Sequence, residues 1–295
     1  MAHNRNRRLA GAAQTACVLE ADAPKLGNVN RFHDFEDCSL EDFHLSAIAI
    51  GPAFGGLAKK GVGRTVYEAV RATKEVTATN TNLGILLLLA PLGLAWYRRG
   101  DKSLAAWRCE AGQVLAALAA EDADYAYKAI RLAEPGGLGE VGEYDVRTEG
   151  HPPFTLLEAM KAAAERDLVA GEYANGFELV FAQGYPMLRQ SLAAGLALPQ
   201  AIAQTHLYLL SLVPDTLIVR KLGREAGHEV RERAALVWKL GGWSTREGRN
   251  ALEVFDQWLR RDGHRLNPGS TADLTAAAIF VWLLEKGQRE EVVRR

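Results

Sequence analysis

Five short segments gather the residue types that hold phosphates, sugars and metal ions. The first reads Pro24-Lys25-Leu26-Gly27-Asn28-Val29-Asn30-Arg31, with His33 and Asp34 just beyond. Lys25 offers a phosphate a point charge and Arg31 a fork, and Asp34 is a candidate Mg²⁺ ligand. The second, Asn80-Thr81-Asn82-Leu83-Gly84, opens an apolar run; helix capping accounts for one Asn but does not require the whole string. The third, Pro135-Gly136-Gly137-Leu138-Gly139, permits close backbone approach to a ligand and is followed by Glu140, Glu143, Tyr144 and Asp145. Its spacing is neither a dinucleotide fingerprint nor a P-loop, and no strand precedes it. The fourth sets Asp215-Thr216 against Arg220 and Lys221, able to hold a metal with a polyphosphate or to form a structural salt-bridge set. The fifth, Leu266-Asn267-Pro268-Gly269-Ser270-Thr271-Ala272-Asp273-Leu274, opens a helix. There Ser270 or Thr271 can cap and Asp273 suits the dipole, or the helix start receives a phosphate while Asp273 binds its metal. Read alone, each segment is equally an ordinary turn, cap or linker.

No histidine pair has metal-ligand spacing, and no nucleophile-elbow motif occurs. His206 lies on an apolar stripe and reads as packing. Cys17, Cys38 and Cys109 are widely spaced, form no Cys-x-x-Cys pair, and read as small buried hydrophobes in a reducing, cytoplasmic setting.

The elements that must position these segments are helical. Residues 9–21, 40–50, 66–73, 83–96, 103–120, 122–133, 154–170, 175–196, 199–212, 225–240, 245–261 and 271–286 carry helix formers or apolar residues at helical spacing. Ser39 is placed to cap the second, with Asp42 at the capping-box distance. Sustained alternation with β-branched residues is absent, so an all-α fold of about ten helices is expected, as one compact domain over residues 1–295. The loops at 24–37, 77–84, 135–145, 214–223 and 266–273 hold the five segments.

Composition narrows the function classes. With 48% hydrophobic and 24% charged residues the chain of 295 can bury a core. Its net charge of −1 offers no basic field for nucleic acid. Arg5, Arg7 and Arg8 ahead of an Ala-rich stretch faintly resemble a signal peptide, but Gln14 and Glu20 interrupt it. The greasiest run, residues 83–96, contains Gly84, Pro91 and Gly93 and is too short to span a bilayer comfortably, so no membrane partner is expected.

In their order along the chain the segments are far more specific than any one of them. Pro24-Lys25-x-Gly27-Asn28-Val29, Ser46, Asn80-Thr81-Asn82-x-Gly84, Asp215-Thr216 and Asn267-Pro268-Gly269-Ser270-x-Ala272-Asp273-Leu274 together resemble the triphosphoribosyl-dephospho-CoA synthase family, from about residue 13 to 284. The resemblance implies an all-helical, Mg²⁺-dependent transferase. It would move a triphosphoribosyl group from ATP to a ribose hydroxyl of 3′-dephospho-CoA or a similar acceptor, releasing adenine. Lys25, Asn28, Arg31, Asn80, Asn82, Arg220, Lys221, Asn267 and Ser270 would then bind phosphate or ribose. Asp34, Asp215 and Asp273 would be metal ligands, and Glu20 and Asp34 catalytic, Glu20 as base. Partners would be nucleotide and dephospho-CoA-like small molecules; a homodimer is one assembly open to the chain, whose oligomeric state the sequence does not fix.

Leu26 stands where the family usually has a second proline. The middle of the chain departs too, with Glu143-Tyr144-Asp145-Val146, Asp167 and Glu172-Tyr173. It resembles an archaeal and methylotroph-like branch, whose setting suggests assembly of a one-carbon carrier such as tetrahydromethanopterin or methanofuran. Glu143, Tyr144 and Glu172 would then meet the acceptor. A helical scaffold that binds nucleotides without catalysis is the alternative of another class. It is distinguished by whether Asp34, Asp215 and Asp273 converge in one cleft.

Overall fold

The chain enters in helix: α1 (Ala2–Asp22) buries Leu9, Ala13, Ala16 and Cys17 along one face. It ends ahead of Pro24, which cannot donate to a further turn. α2 (Leu40–Ala49) begins at Ser39, whose N–H donates to Asp42 Oδ2 at 2.9 Å. Two short turns, α3 (Gly51–Gly55) and α4 (Leu57–Lys60), lead into α5 (Val62–Lys74) and α6 (Leu83–Arg98). α7 (Leu104–Ala116) packs on α6, and α8 (Ala120–Ala133) packs on α5. α9 (Leu156–Ala163), α10 (Leu168–Asn175), a π-helical turn over Leu179–Gly184 and α11 (Tyr185–Ala193) follow. The last third is α12 (Leu198–Leu212), α13 (Thr216–Leu222), α14 (Arg224–Lys239), α15 (Arg246–Arg260) and α16 (Gly269–Val293). The computed structural model describes residues 2–136, 144–147 and 150–293; Gly137, Leu138, Gly139, Glu140 and Glu143 of the third segment lie outside the described residues.

α6 is apolar all round, which a helix can be only at the centre of a fold. Leu86, Leu88, Leu89 and Leu92 have no exposed surface, and α1, α5, α7 and α16 pack around them. Gly93 makes that crowding feasible: a Cβ there would meet Leu57, Leu9 and Phe280 at 3.0, 3.3 and 3.4 Å. α16 is the second central rod, burying Leu274, Ile279, Phe280, Val281 and Leu284. A smaller apolar cluster, including Leu207, Ile218, Val230, Leu252, Phe255 and Leu259, knits α12 to α15, and Leu26 of the first loop plugs into it. No single helix among the described residues is long and apolar enough to cross a membrane.

The all-α expectation holds: the described residues contain no strand, only an isolated bridge between Asn30 and His33. The count differs, with sixteen α-helical segments, fourteen of seven residues or more, where about ten were expected. The reasons are local. Asp167 accepts the N–H of Ala170 at 3.0 Å and starts α10 afresh, splitting the helix expected over 154–170. Pro186, lacking an N–H, sits at the start of α11, and the chain ahead of it widens into the π-helical turn. Asp215 caps α13 where a loop was expected.

Glu172 is buried under that π-helical turn. Its Oε1 accepts the N–H of Leu179 at 3.0 Å and its Oε2 that of Val180 at 2.9 Å. It is therefore a backbone brace and not the acceptor contact expected of it. Burial pushes its carboxyl from the ordinary 4.5 up to about 7, against the pull of the two N–H groups. The folded state thus holds this proton more tightly than the unfolded chain. Its contribution to stability is fully present below about pH 4.5 and is lost as pH rises through about 7, up to about 3 kcal/mol in all. Urea midpoints at pH 5 and pH 7.5 are expected to fall more steeply in the wild type than in Glu172→Gln. Equal slopes would show that Glu172 titrates normally.

Candidate active site

The first loop is built to face inward. Gly27 takes φ 69° and donates its N–H to Asp256 Oδ1 at 2.7 Å. A Cβ there would meet Leu259 and Pro268 at 3.1 and 3.2 Å, so glycine lets the loop lie on α15 and on the start of α16. Asn30 ties the turn from within, donating to the carbonyls of Lys25 and Asn28. Arg260 reaches the Asn28 carbonyl at 2.8 Å. The result drives Lys25 into the protein, 1% exposed, where its ammonium meets Glu20 Oε1 at 3.1 Å and also bonds the Glu20 carbonyl. Burial pushes Glu20 up and Lys25 down, and each charge opposes the other's shift. Asn28 approaches His206 Nε2 at 3.2 Å. His206 is core, as expected, with burial holding its pKa down to about 3.

Beside this pair opens a cavity of about 780 Å³. Glu20, Lys25, Asn28, Asn80, Asn82, Arg220, Lys221, Asn267, Ser270 and Asp273 all line it. Four of the five loops therefore reach one chamber, and the described start of the third, Pro135 and Gly136, reaches it as well.

Asp273 stands apart chemically. It projects from the second turn of α16 and has no hydrogen-bond or ion-pair partner among the described residues. Burial, then the charges of Glu20, Asp167 and Asp215, push its carboxyl well above the usual range, with Arg220 opposing. It lies against Gly84 of α6: a Cβ on Gly84 would overlap Asp273 Oδ2 and sit 2.5 Å from Cγ. The glycine of the second segment is thus the space occupied by the carboxylate of the fifth. A carboxylate left unneutralised by its own protein, aimed into a chamber with cations on the wall, fits a divalent cation. No group of three or more His, Cys, Asp or Glu among the described residues is arranged to enclose a metal. Mg²⁺ commonly binds through one or two carboxylates, with phosphate oxygens and water completing its shell.

The other two expected metal ligands do not meet Asp273 in the chamber, so the three-acid convergence expected of a catalytic site over a scaffold does not occur and Asp273 alone of the three faces the cavity. Asp215 is fully buried beneath it: Oδ1 accepts the N–H groups of Leu217 and Ile218, and Oδ2 accepts the N–H and hydroxyl of Thr271 at 2.7 and 2.8 Å. That quartet caps α13 and welds it to α16, leaving no oxygen for a ligand. Asp34 is exposed and receives the Leu40 N–H at 2.8 Å at the start of α2. Arg31 is exposed too and is spent on Asp22. Both point away because the Asn30–His33 turn reverses the chain after Asn28. Asn82 exchanges bonds with Thr73, Ser270 accepts the Thr216 hydroxyl, and Asn267 Oδ1 is buried with no partner.

Sequence reasoning missed several lining groups. Arg166 and Asp167 lie between α9 and α10, and Asp167 pairs with Arg220. Phe35 and His264 stack with ring centroids 4.5 Å apart, and Asp37 lies 3.7 Å from His264. Asp167 shows in the sequence only as part of the departing middle of the chain, and no motif marks the others, because they meet only when loops far apart in the chain come together. Cys17 and Cys38 are buried as expected, whereas Cys109 is exposed on α7.

A family model described as ATP:dephospho-CoA triphosphoribosyl transferase matches residues 6–292. A protein of Pseudomonas savastanoi pv. phaseolicola, named as a 2-(5″-triphosphoribosyl)-3′-dephosphocoenzyme-A synthase, is 28% identical over 287 residues, spanning 94% of this chain and 91% of its own. One from Pectobacterium atrosepticum with the same name is 36% identical over 114 residues, 39% of this chain and 35% of its own. A crystal structure named as a triphosphoribosyl-dephospho-CoA synthase, from Archaeoglobus fulgidus, superposes with a TM-score of 0.61 at 29% identity, covering 81% of this chain and 97% of that one.

The geometry separates the hydrogen-bonded acids, Asp215 and Asp34, from the unpartnered Asp273. Asp215→Ala is expected to lose about 3 kcal/mol, because it removes a buried cap and leaves the Thr271 donors unpaired. Asp34→Ala is expected to lose under about 1 kcal/mol, as for an exposed cap. Urea unfolding of both measures this. A stable Asp215→Ala variant would contradict the structural assignment.

Proposed function

The chain belongs to the ATP:dephospho-CoA triphosphoribosyl transferase family, and we propose that the chamber around Asp273 is where it carries out the transfer. The single observation that carries this reading is the partnerless carboxylate of Asp273, seated against Gly84 and flanked by the chamber's cations. In the reaction the bond between the ribose C1′ and adenine breaks and its electron pair leaves with the base. A ribose hydroxyl of dephospho-CoA forms the new bond to C1′, and its proton balances the one adenine takes up. The sugar carbon becomes cationic on the way, so nearby negative charge and a base for the hydroxyl are what the protein must supply.

The chain's residues divide those tasks. Lys221, which has no ion pair among the described residues, and Arg220 receive the triphosphate. Asp273 fits a Mg²⁺ ion, which when bound would neutralise phosphate charge there. Asn267, with its free carbonyl oxygen, and Asn80 hold ribose hydroxyls. Glu20 accepts the acceptor's proton, and Lys25 keeps it in place and limits how far burial raises its pKa. The Phe35–His264 stack supplies an aromatic surface beside the position from which adenine leaves.

Purified protein with ATP, Mg²⁺ and dephospho-CoA is expected to release adenine only when dephospho-CoA is present, read by chromatography. Asp273→Asn and Gly84→Ala should each lower that rate by about 100-fold or more, as for loss of a charge-stabilising group. Asp273→Asn should not lower the thermal midpoint, since no hydrogen bond or ion pair among the described residues is lost with it. Undiminished adenine release in Asp273→Asn would refute the assignment.

A further inference from the structure

The chamber has a second character that the transfer chemistry leaves unused. Leu156, Ala159, Met160 and Ala163 recur at helical spacing along α9, and all four face the cavity. Thr155 and Glu158 fix that helix through a capping box. Tyr127 and Ile130 of α8 line it as well. The Tyr127 hydroxyl already donates to the Tyr144 carbonyl at 2.7 Å, and Tyr144 packs edge-on to Phe154. This wall therefore offers methyl, methylene and ring surface, with the Tyr127 hydroxyl already committed. It suits neither a phosphate nor a sugar, because either would lose hydration without finding partners.

ATP has no aliphatic part. Dephospho-CoA does: its ADP half carries a long pantetheine chain of methylenes, a geminal dimethyl group and two amides. Resting on the transfer reaction proposed above, we infer that the α8–α9 wall is an arm of the chamber that binds the acceptor's pantetheine chain and so selects dephospho-CoA over shorter nucleotides. The mouth of the arm is suited to the join between the halves. Gly136 lies close to the Lys221 side chain, a Cβ there being 3.9 Å from Lys221 Cε. Lys221 is committed to the donor's triphosphate, so the acceptor's diphosphate meets Arg166, which follows α9 on the chamber wall, as the chain turns into the arm. Backbone groups at Pro135 and Gly136 border the same mouth, within reach of the chain's amides. Ala159 and Ala163, about one turn apart, set the arm's width, and Met160 supplies a flexible surface that adapts to the chain.

The test is calorimetric binding, independent of turnover. Wild-type protein should bind dephospho-CoA about 10-fold or more tighter than ADP, which is the same nucleotide without the chain. Ala163→Phe fills the arm, and Ala159→Leu does so one turn away should the first variant fail to fold, as judged by its thermal midpoint. In either variant dephospho-CoA should weaken to about the affinity of ADP, while ATP binding changes less than about 2-fold. Dephospho-CoA affinity unchanged in a folded variant would overturn the arm, and so would a parallel loss of ATP binding, which would place the donor there. Wild-type protein that binds neither ATP nor dephospho-CoA would overturn the transfer site itself, and the arm with it.

Discussion

Between the first turn of α6 and the second turn of α16 there is no room for a methyl group. Gly84 yields its side-chain volume to the carboxylate of Asp273, and the remaining loops are arranged around that contact. α6 can come so close only because it is the apolar centre of the bundle. α16 is held against it through Asp215, whose buried oxygens bind Thr271 two residues before Asp273 and cap α13 at the same time. The same weld places Arg220 and Lys221, one turn further along α13, on the chamber wall. One buried acid with satisfied hydrogen bonds thus positions a second acid with none. The first contributes order, and the second is left available for chemistry.

That arrangement carries an energetic cost. Glu20, Asp215 and Asp273 all have carboxyls raised by burial, and the charges of Glu20, Asp167 and Asp215 lift Asp273 further. Concentrating negative charge without full compensation weakens a fold. Such a site makes sense where the missing positive charge arrives with a ligand, or where positive charge develops on a reacting sugar. The buried Lys25 compensates Glu20 and so separates the two carboxylates by role: one is paired, the other is open.

Much of this was legible in the residues. Helices were legible over residues 83–96 and 271–286, which become the two central rods, and the order of four of the five loops carried the family resemblance. Most of the loops' asparagines and cations line one chamber in the structure, Arg31 excepted. What the residues could not reveal was direction. Asp34 and Asp273 look alike as acids near Gly/Asn-rich turns, yet a turn of the chain at Asn30 sends Asp34 to the surface as a cap. Asp215 reads as a ligand in sequence because nothing local shows that Thr271, 56 residues away, satisfies it. Arg166, His264 and the α8–α9 wall carry no motif, since their meaning arises only from tertiary contact. Helix breaks were missed where a cap competes with good helix formers, as at Asp167, or where Pro186 forces the preceding turn to widen.

The claim that transfer is organised on Asp273 is tested most directly by a crystal structure with Mg²⁺, dephospho-CoA and an ATP analogue whose base is carbon-linked and cannot leave. The account requires the metal-bound triphosphate at Asp273, between α6 and α16, with Lys221 on its phosphates and the acceptor hydroxyl near Glu20. A nucleotide bound elsewhere, with the Asp273 carboxylate untouched by metal, phosphate or sugar, would contradict it.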